Sequence, residues 1–189
     1  MYGRLHCVFL RCIGDFSTIT QSDFKGAAIA LDKIDRKILA LLQKDATTPV
    51  AEIGRKVGLS TTPCWRRIQK MEEDGVIQRR VAVLDPNKVN VGVTVFVSVK
   101  TNEHNEAWMR KFSGVIDEFP EVVEFYRMSG DVDYLMRVVV PDIQAYDAFY
   151  KRLISKINLT DVSSAFAMGQ IKYTTALPLD FAIVVDDDK

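Results

Sequence analysis

The sequence predicts an α+β protein in two parts: a winged helix-turn-helix over residues 31–85, then a β-α-β-β-α-β sheet unit over residues 91–179. Three observations predict it. The stretch GLSTTPCWRRIQKMEEDG, from Gly58 to Gly75, carries start and stop signals for a helix and a cationic face. A shorter helical pattern and a Gly58 turn come just before it. Beyond Asp85-Pro86-Asn87 the hydrophobic period switches between two and about 3.6 residues in the order of the sheet unit.

Composition sets the frame. The chain has 189 residues, 48% of them hydrophobic, with 25 Lys and Arg balanced by 25 Asp and Glu. The whole molecule therefore does not advertise a polyanionic partner, but its charge is unevenly spread. Residues 31–90 hold 12 Lys and Arg against 8 Asp and Glu, and residues 91–189 hold 10 against 15. A basic first half beside an acidic second half fits a binding module joined to a part with another job. Cys7, Cys12 and Cys64 have neither disulfide nor zinc spacing, which favours a reducing, cytoplasmic home. His6 and His104 stand alone, so no metal, cofactor or catalytic constellation is expected. No apolar run approaches the roughly 20 residues that span a bilayer.

Residues 1–30 lack a sustained period and read as an extension of low order that adds little to the fold. An arm that packs on a partner subunit is the other reading. From Leu31 a helical stripe of Ile34, Ile38, Leu41 and Leu42 appears, with Asp32 as cap. Thr48-Pro49 reads as an N-cap and first residue of a second helix carrying Val50, Ile53 and Val57, which Gly58 breaks. Ser60 then caps a third helix, Pro63 fits its first turn, and Gly75 supplies the left-handed residue that ends it. At about 100° per residue, Cys64, Ile68 and Met71 share the core side. Thr62, Arg66, Gln69 and Lys70 share the opposite side, flanked by Trp65 and Arg67. Its acids, Glu72, Glu73 and Asp74, sit at the end the helix dipole disfavours, which leaves the first two-thirds basic. On this helix alone, a solvated surface explains the charge as well as a nucleic-acid face does. The preceding helix and tight turn complete a helix-turn-helix pattern and tip the balance. The β-branched run VIQRRVAVLDP that follows reads as a wing strand or hairpin. Its Arg79 and Arg80 are placed to reach phosphates.

In the second part, Val91 to Lys100 alternates as a strand. Trp108, Phe112, Ile116 and Phe119 form a helical stripe from Glu106 to Phe119. Glu121 to Met128 and Tyr134 to Val140 are strands joined by the turn Ser129-Gly130-Asp131-Val132-Asp133. Asp142 caps a helix bearing Tyr146, Phe149, Leu153 and Ile157, and a last strand is expected over Val162–Thr175. Residues 180–189 form an acidic tail. This order is the ferredoxin-like split unit. Two helices cover one face of its sheet, and the other face needs a partner, most simply a second copy about a two-fold axis.

At the turn, Gly130 permits a tight backbone whose amides can hold a carboxylate, while Asp131 and Asp133 can accept from an ammonium group. A plain β-turn also accounts for Gly and Asp at these positions.

LDKIDRKILALLQKD, VGLSTTPCWRRIQKMEEDGVIQ and SGDVDYLMRVVVPDIQAYDAFYKRL together resemble the leucine-responsive/asparagine-regulator (Lrp/AsnC) family of bacterial transcription factors. The resemblance runs from about Leu31 to Leu179, and FAMGQIKYTTALPL is similar to a branch that includes cysteine-responsive regulators. It implies dimers that assemble into octamers or larger even rings, two recognition helices in successive major grooves, and an amino-acid effector bound between sheet units. The double-stranded DNA contacts it implies are Ser60, Thr61, Thr62, Pro63, Trp65, Arg66, Arg67, Gln69 and Lys70, with Arg79 and Arg80 from the wing. Its effector site falls on Tyr126, Met128, Ser129, Gly130, Asp131, Asp133 and Tyr134. Sirohaem decarboxylases share this two-part architecture and supply the enzymatic alternative. His104, in a polar loop, is a poor candidate for holding a tetrapyrrole.

Overall fold

The computed structural model describes residues 29–183. The expectations for most of residues 1–30, and for the end of the acidic tail, lie outside them. The described chain divides into a helical unit, residues 29–82 with 173–183, and a sheet unit, residues 83–172.

The helical unit contains α1 (Lys33–Lys44), α2 (Val50–Val57) and α3 (Thr61–Glu73). α1 opens with a reciprocal capping box: the Asp35 amide donates to Asp32 Oδ1 (2.6 Å) and the Asp32 amide to Asp35 Oδ2 (3.3 Å). α2 begins one residue later than expected, after Pro49, and no side chain caps it, so Thr48 has no capping role. Between α2 and α3, Gly58 takes the left-handed conformation at φ 78° and lets the Leu59 amide reach the Gly54 carbonyl at 2.8 Å. Ser60 is the N-cap residue of α3, but its hydroxyl makes no cap hydrogen bond. Part of the reason is local. An N-cap side chain bonds the amide of the second or third helical residue, and the third residue here is Pro63, which has no N–H. The core is Leu31, Ile38, Leu39, Ile53, Cys64, Ile68 and Met71.

The expected wing strand does not form: residues 78–85 belong to no ladder. Val81, Val83 and Leu84 are well exposed. β-Branched residues favour the strand conformation, but a strand needs a neighbour to pair with, and the run finds none among the described residues.

The sheet unit contains β1 (Val93–Lys100), α4 (Glu106–Ile116), β2 (Val122–Arg127), β3 (Tyr134–Val140), α5 (Ile143–Lys156) and β4 (Asp161–Phe166). The sheet is antiparallel throughout, in the order β2-β3-β1-β4, so the α+β helix-turn-helix and ferredoxin-like reading of the sequence holds. The strand period decides which side chains are buried. Val95, Val97, Val99, Met136 and Val138 face α4 and α5 with Phe112 and Phe149, while Phe96, Leu135, Arg137 and Val139 point to the open face. Asn105 Oδ1 and Asp142 Oδ1 cap α4 and α5, accepting from the Trp108 and Ala145 amides at 2.8 and 2.7 Å. β4 ends at Phe166 rather than near Thr175, because its partner runs out: Phe166 pairs with Val95 and Ala167 makes a last bond to Thr94. From Tyr173 the chain belongs to the helical unit, and Leu179–Phe181 forms a 3-10 turn there.

Candidate nucleic-acid interface and effector turn

α3 buries Cys64, Ile68 and Met71 and turns Thr61, Thr62, Pro63, Trp65, Arg66 and Lys70 outward, Trp65 being half exposed. Burial pushes the Cys64 thiol above its usual range, so it is a packing group and a poor nucleophile. The first turn of α3 has free backbone donors. An α-helix leaves its first amides without internal partners, the first bond inside α3 is Cys64 to Ser60 at 3.2 Å, and no side chain caps the Thr61 and Thr62 amides. That end also carries the positive pole of the helix dipole.

The expected DNA-facing residues fall into two groups. Arg66 and Arg79 make no ion pair among the described residues. Lys70, Arg80, Gln69 and Arg67 are engaged within the unit. Lys70 Nζ lies 2.8 Å from Asp74, which raises its pKa. Arg80 lies 2.8 Å from Glu72, and Gln69 donates to the same carboxylate at 3.0 Å. These bonds are exposed or half-exposed and exchange readily for a phosphate. Arg67 differs. Its guanidinium reaches back to α1 and holds both Asp32 and Asp35, the latter at 2.8 Å. Burial raises the Asp32 pKa, but the Asp35 amide and Arg67 outweigh it and hold the carboxyl below its usual range. Arg67 thus fixes α3 against the capping box of α1 rather than facing outward. Sequence reading missed this because the partners lie 32 and 35 positions away; the only signal was Arg67's place on the flank of the outer face.

In the sheet unit, the β2–β3 hairpin closes with the Met128 amide donating to the Asp133 carbonyl at 2.8 Å, and Gly130 takes φ 114°. The side chains of the turn separate by role. Asp131 is almost fully exposed and pairs with Lys100 at 3.0 Å. Tyr126, Met128 and Ser129 are exposed beside it, and the Tyr126 hydroxyl donates to Glu124 at 3.1 Å. Asp133 faces the β1–α4 loop instead: its Oδ2 accepts the Thr101 amide at 2.8 Å, and His104 Nδ1 lies 3.9 Å from its Oδ1. Tyr134 is 6% exposed and sits in the core against Trp108, Phe112 and Phe125. The turn therefore offers Gly130, Asp131 and their neighbours to solvent, while Asp133 and Tyr134 hold it in place.

A helix-turn-helix with an outward basic helix, followed by a ferredoxin-like unit, defines a two-part DNA-binding regulator. Two family models match the chain, the AsnC-type helix-turn-helix domain over residues 31–72 and the Lrp/AsnC ligand binding domain over residues 94–177. The chain belongs to the Lrp/AsnC family of transcriptional regulators. It is 52% identical over 151 residues to the DNA-binding transcriptional activator DecR of Escherichia coli, spanning 79% of this chain and 99% of that protein. An AsnC family transcriptional regulator from Agrobacterium tumefaciens has the same fold with a TM-score of 0.78 and 73% identity, over 80% of this chain and 99% of that one. A transcriptional regulator from Neisseria meningitidis, solved as a complex with L-Met, matches with a TM-score of 0.76 and 33% identity over 80% of this chain and 98% of that one.

Proposed function

We propose that this chain binds specific DNA sequences as a cytoplasmic homodimer or larger even assembly, and that an amino acid bound at the 128–133 turn changes its assembly or its DNA affinity. The observation that carries the DNA reading is the uncapped, outward first turn of α3 beside Arg66. Thr61 and Thr62 amides, the Ser60 hydroxyl and the dipole suit a phosphate. One turn further on, Arg66 is free to enter the major groove. Trp65, Gln69 and Lys70 border that face, and Arg79 and Arg80 follow it in the chain. Arg67 acts from behind, holding the helix at its angle. Two helices carried by one dimer would meet successive grooves.

The open sheet face supports the dimer. It joins Phe96, Leu135 and Val139 to an Arg137–Glu124 ion pair of 2.6 Å, an apolar field with a polar centre that suits a second copy of itself. The effector reading rests on the exposed Gly130 and Asp131. Backbone amides there suit a carboxylate and Asp131 an ammonium, and the Neisseria relative was solved with L-Met. The enzymatic alternative has little to stand on. His104 is the one histidine after residue 90, it is 65% exposed and it lies 3.9 Å from Asp133. The test is a thermal-shift panel of the amino acids, cysteine and methionine included, on the wild type and on Asp131→Ala. The reading expects a shift in the wild type that Asp131→Ala abolishes while its own unfolding is unchanged. A shift that survives in Asp131→Ala moves the effector elsewhere.

A further inference from the structure

Residues 173–183 follow the last strand of the sheet unit, yet they belong to the helical unit and run along α1 in the opposite direction. Three interactions fix them. Near the end of α1, the Gln43 side-chain amide makes a two-way bond with the backbone of Leu177, accepting from its amide at 2.6 Å and donating to its carbonyl at 3.2 Å. In the first turn, Arg36 pairs with Asp180 at 2.8 Å. Before the helix, the Leu31 amide donates to the Ile183 carbonyl at 3.0 Å. Between these points Leu179 and Ala182 pack against the helical core. The segment thus grips α1 from end to end, about 18 Å from Leu31 to Gln43 at 1.5 Å per residue.

The same first turn of α1 holds the recognition helix, since Asp32 and Asp35 bind Arg67 of α3. Two grips meet at the start of α1: Arg36 holds the C-terminal segment, and Asp32 and Asp35 hold Arg67. We propose that residues 177–183 are a strap that completes the DNA-binding unit, and that Leu179 and Asp180 are positioning residues for α3, acting through α1 and Arg67. The strap continues β4 through residues 167–172, so the two units are joined by two covalent connections, at residues 82–83 and 172–173. The inference rests on the DNA-binding reading of α3.

The test uses the full chain and two variants, Leu179→Asp and the double variant Gln43→Ala/Asp180→Asn. Binding is titrated in the cold, well below the melting transition, on a duplex selected from a random pool by the wild type and on an unselected duplex. A mispositioned recognition helix loses base readout and keeps its phosphate attraction. The expected result is a fall of about five-fold in affinity for the selected duplex, no change on the unselected one, and an unchanged far-UV helix signal. A strap that only stabilises the unit lowers the melting temperature and leaves the ratio of the two affinities intact. That outcome overturns the proposal. Should Leu179→Asp lose helix signal in the cold, the double variant decides on the same ratio, since it leaves Leu179 in the core. A wild type that shows no preference for any duplex overturns the DNA reading and the strap's role with it.

Discussion

Replacing Arg67 by methionine keeps the aliphatic stem of the side chain and removes the guanidinium that bridges α3 to α1. Asp32 and Asp35 are left facing each other at 15% and 17% side-chain exposure, and Arg67 itself is 32% exposed. Losing one partner of a fully buried ion pair costs about 3–5 kcal/mol, and of an exposed pair about 0–1. This site lies between those limits, so Arg67→Met should cost the helical unit about 2 kcal/mol, or about 10 °C in its melting transition. The pH dependence follows from Asp32, whose carboxyl is held below its ordinary value. A depressed carboxyl contributes stability above its unfolded pKa and loses it as the pH falls through the folded one. The gap between wild type and variant should therefore be full at neutral pH and narrow in acid, as the pH falls through the folded pKa of Asp32. Far-UV circular dichroism melts across that range read it. A salt titration of DNA binding separates the alternative: if Arg67 instead neutralises a phosphate, removing it lowers the slope of log K against log salt by about 0.9. Unchanged melting with a reduced slope would refute the positioning role and return Arg67 to the DNA.

Other consequences are more local. A Cβ built on Gly54 lies 2.8 Å from the Leu59 carbonyl oxygen, so Gly54→Val should destabilise the helix-turn-helix by about 1–3 kcal/mol. In α4, the exposed Gly114 has nothing within 4 Å of its added methyl, so Gly114→Ala should stabilise the sheet unit by about 0.5–1 kcal/mol; denaturant melts read both. Asp133→Ala strips the partner from the amide of Thr101, a residue 5% exposed, and should lower sheet-unit stability by about 1–3 kcal/mol, whereas Asp131→Ala should leave it unchanged. Phe96→Asp puts a charge on the open sheet face at a site already 40% exposed. Light scattering should report monomers with an intact circular-dichroism spectrum, and a persisting dimer would move the interface off that face.

Local patterns in the sequence carried most of this architecture. The i, i+4, i+7 spacing of Cys64, Ile68 and Met71 placed them in the core, and all three are buried. Strand alternation placed β3 at Tyr134–Val140 without error. What was not legible depends on partners far along the chain. Arg67 lies on the flank of an outer face, and only the fold brings Asp32 and Asp35 to it. The run from Val76 to Leu84 has strand propensity and no ladder to join. The last strand, expected over Val162–Thr175, stops at Phe166 because β1 is too short to pair with more of it. At the turn, Gly130 and Asp131 were legible as exposed polar chemistry. The inward roles of Asp133 and Tyr134 depend on Thr101 and on the aromatic core.

The central claim is that the outward face of α3 reads DNA, and Arg66 tests it most directly, because among the described residues no partner inside the protein competes for its charge. Arg66→Ala should be titrated on a selected and a random duplex at two salt concentrations. The account predicts a loss of about 1–3 kcal/mol on the selected duplex, with the fold unchanged. Unaltered affinity for both duplexes at both salt concentrations would contradict it.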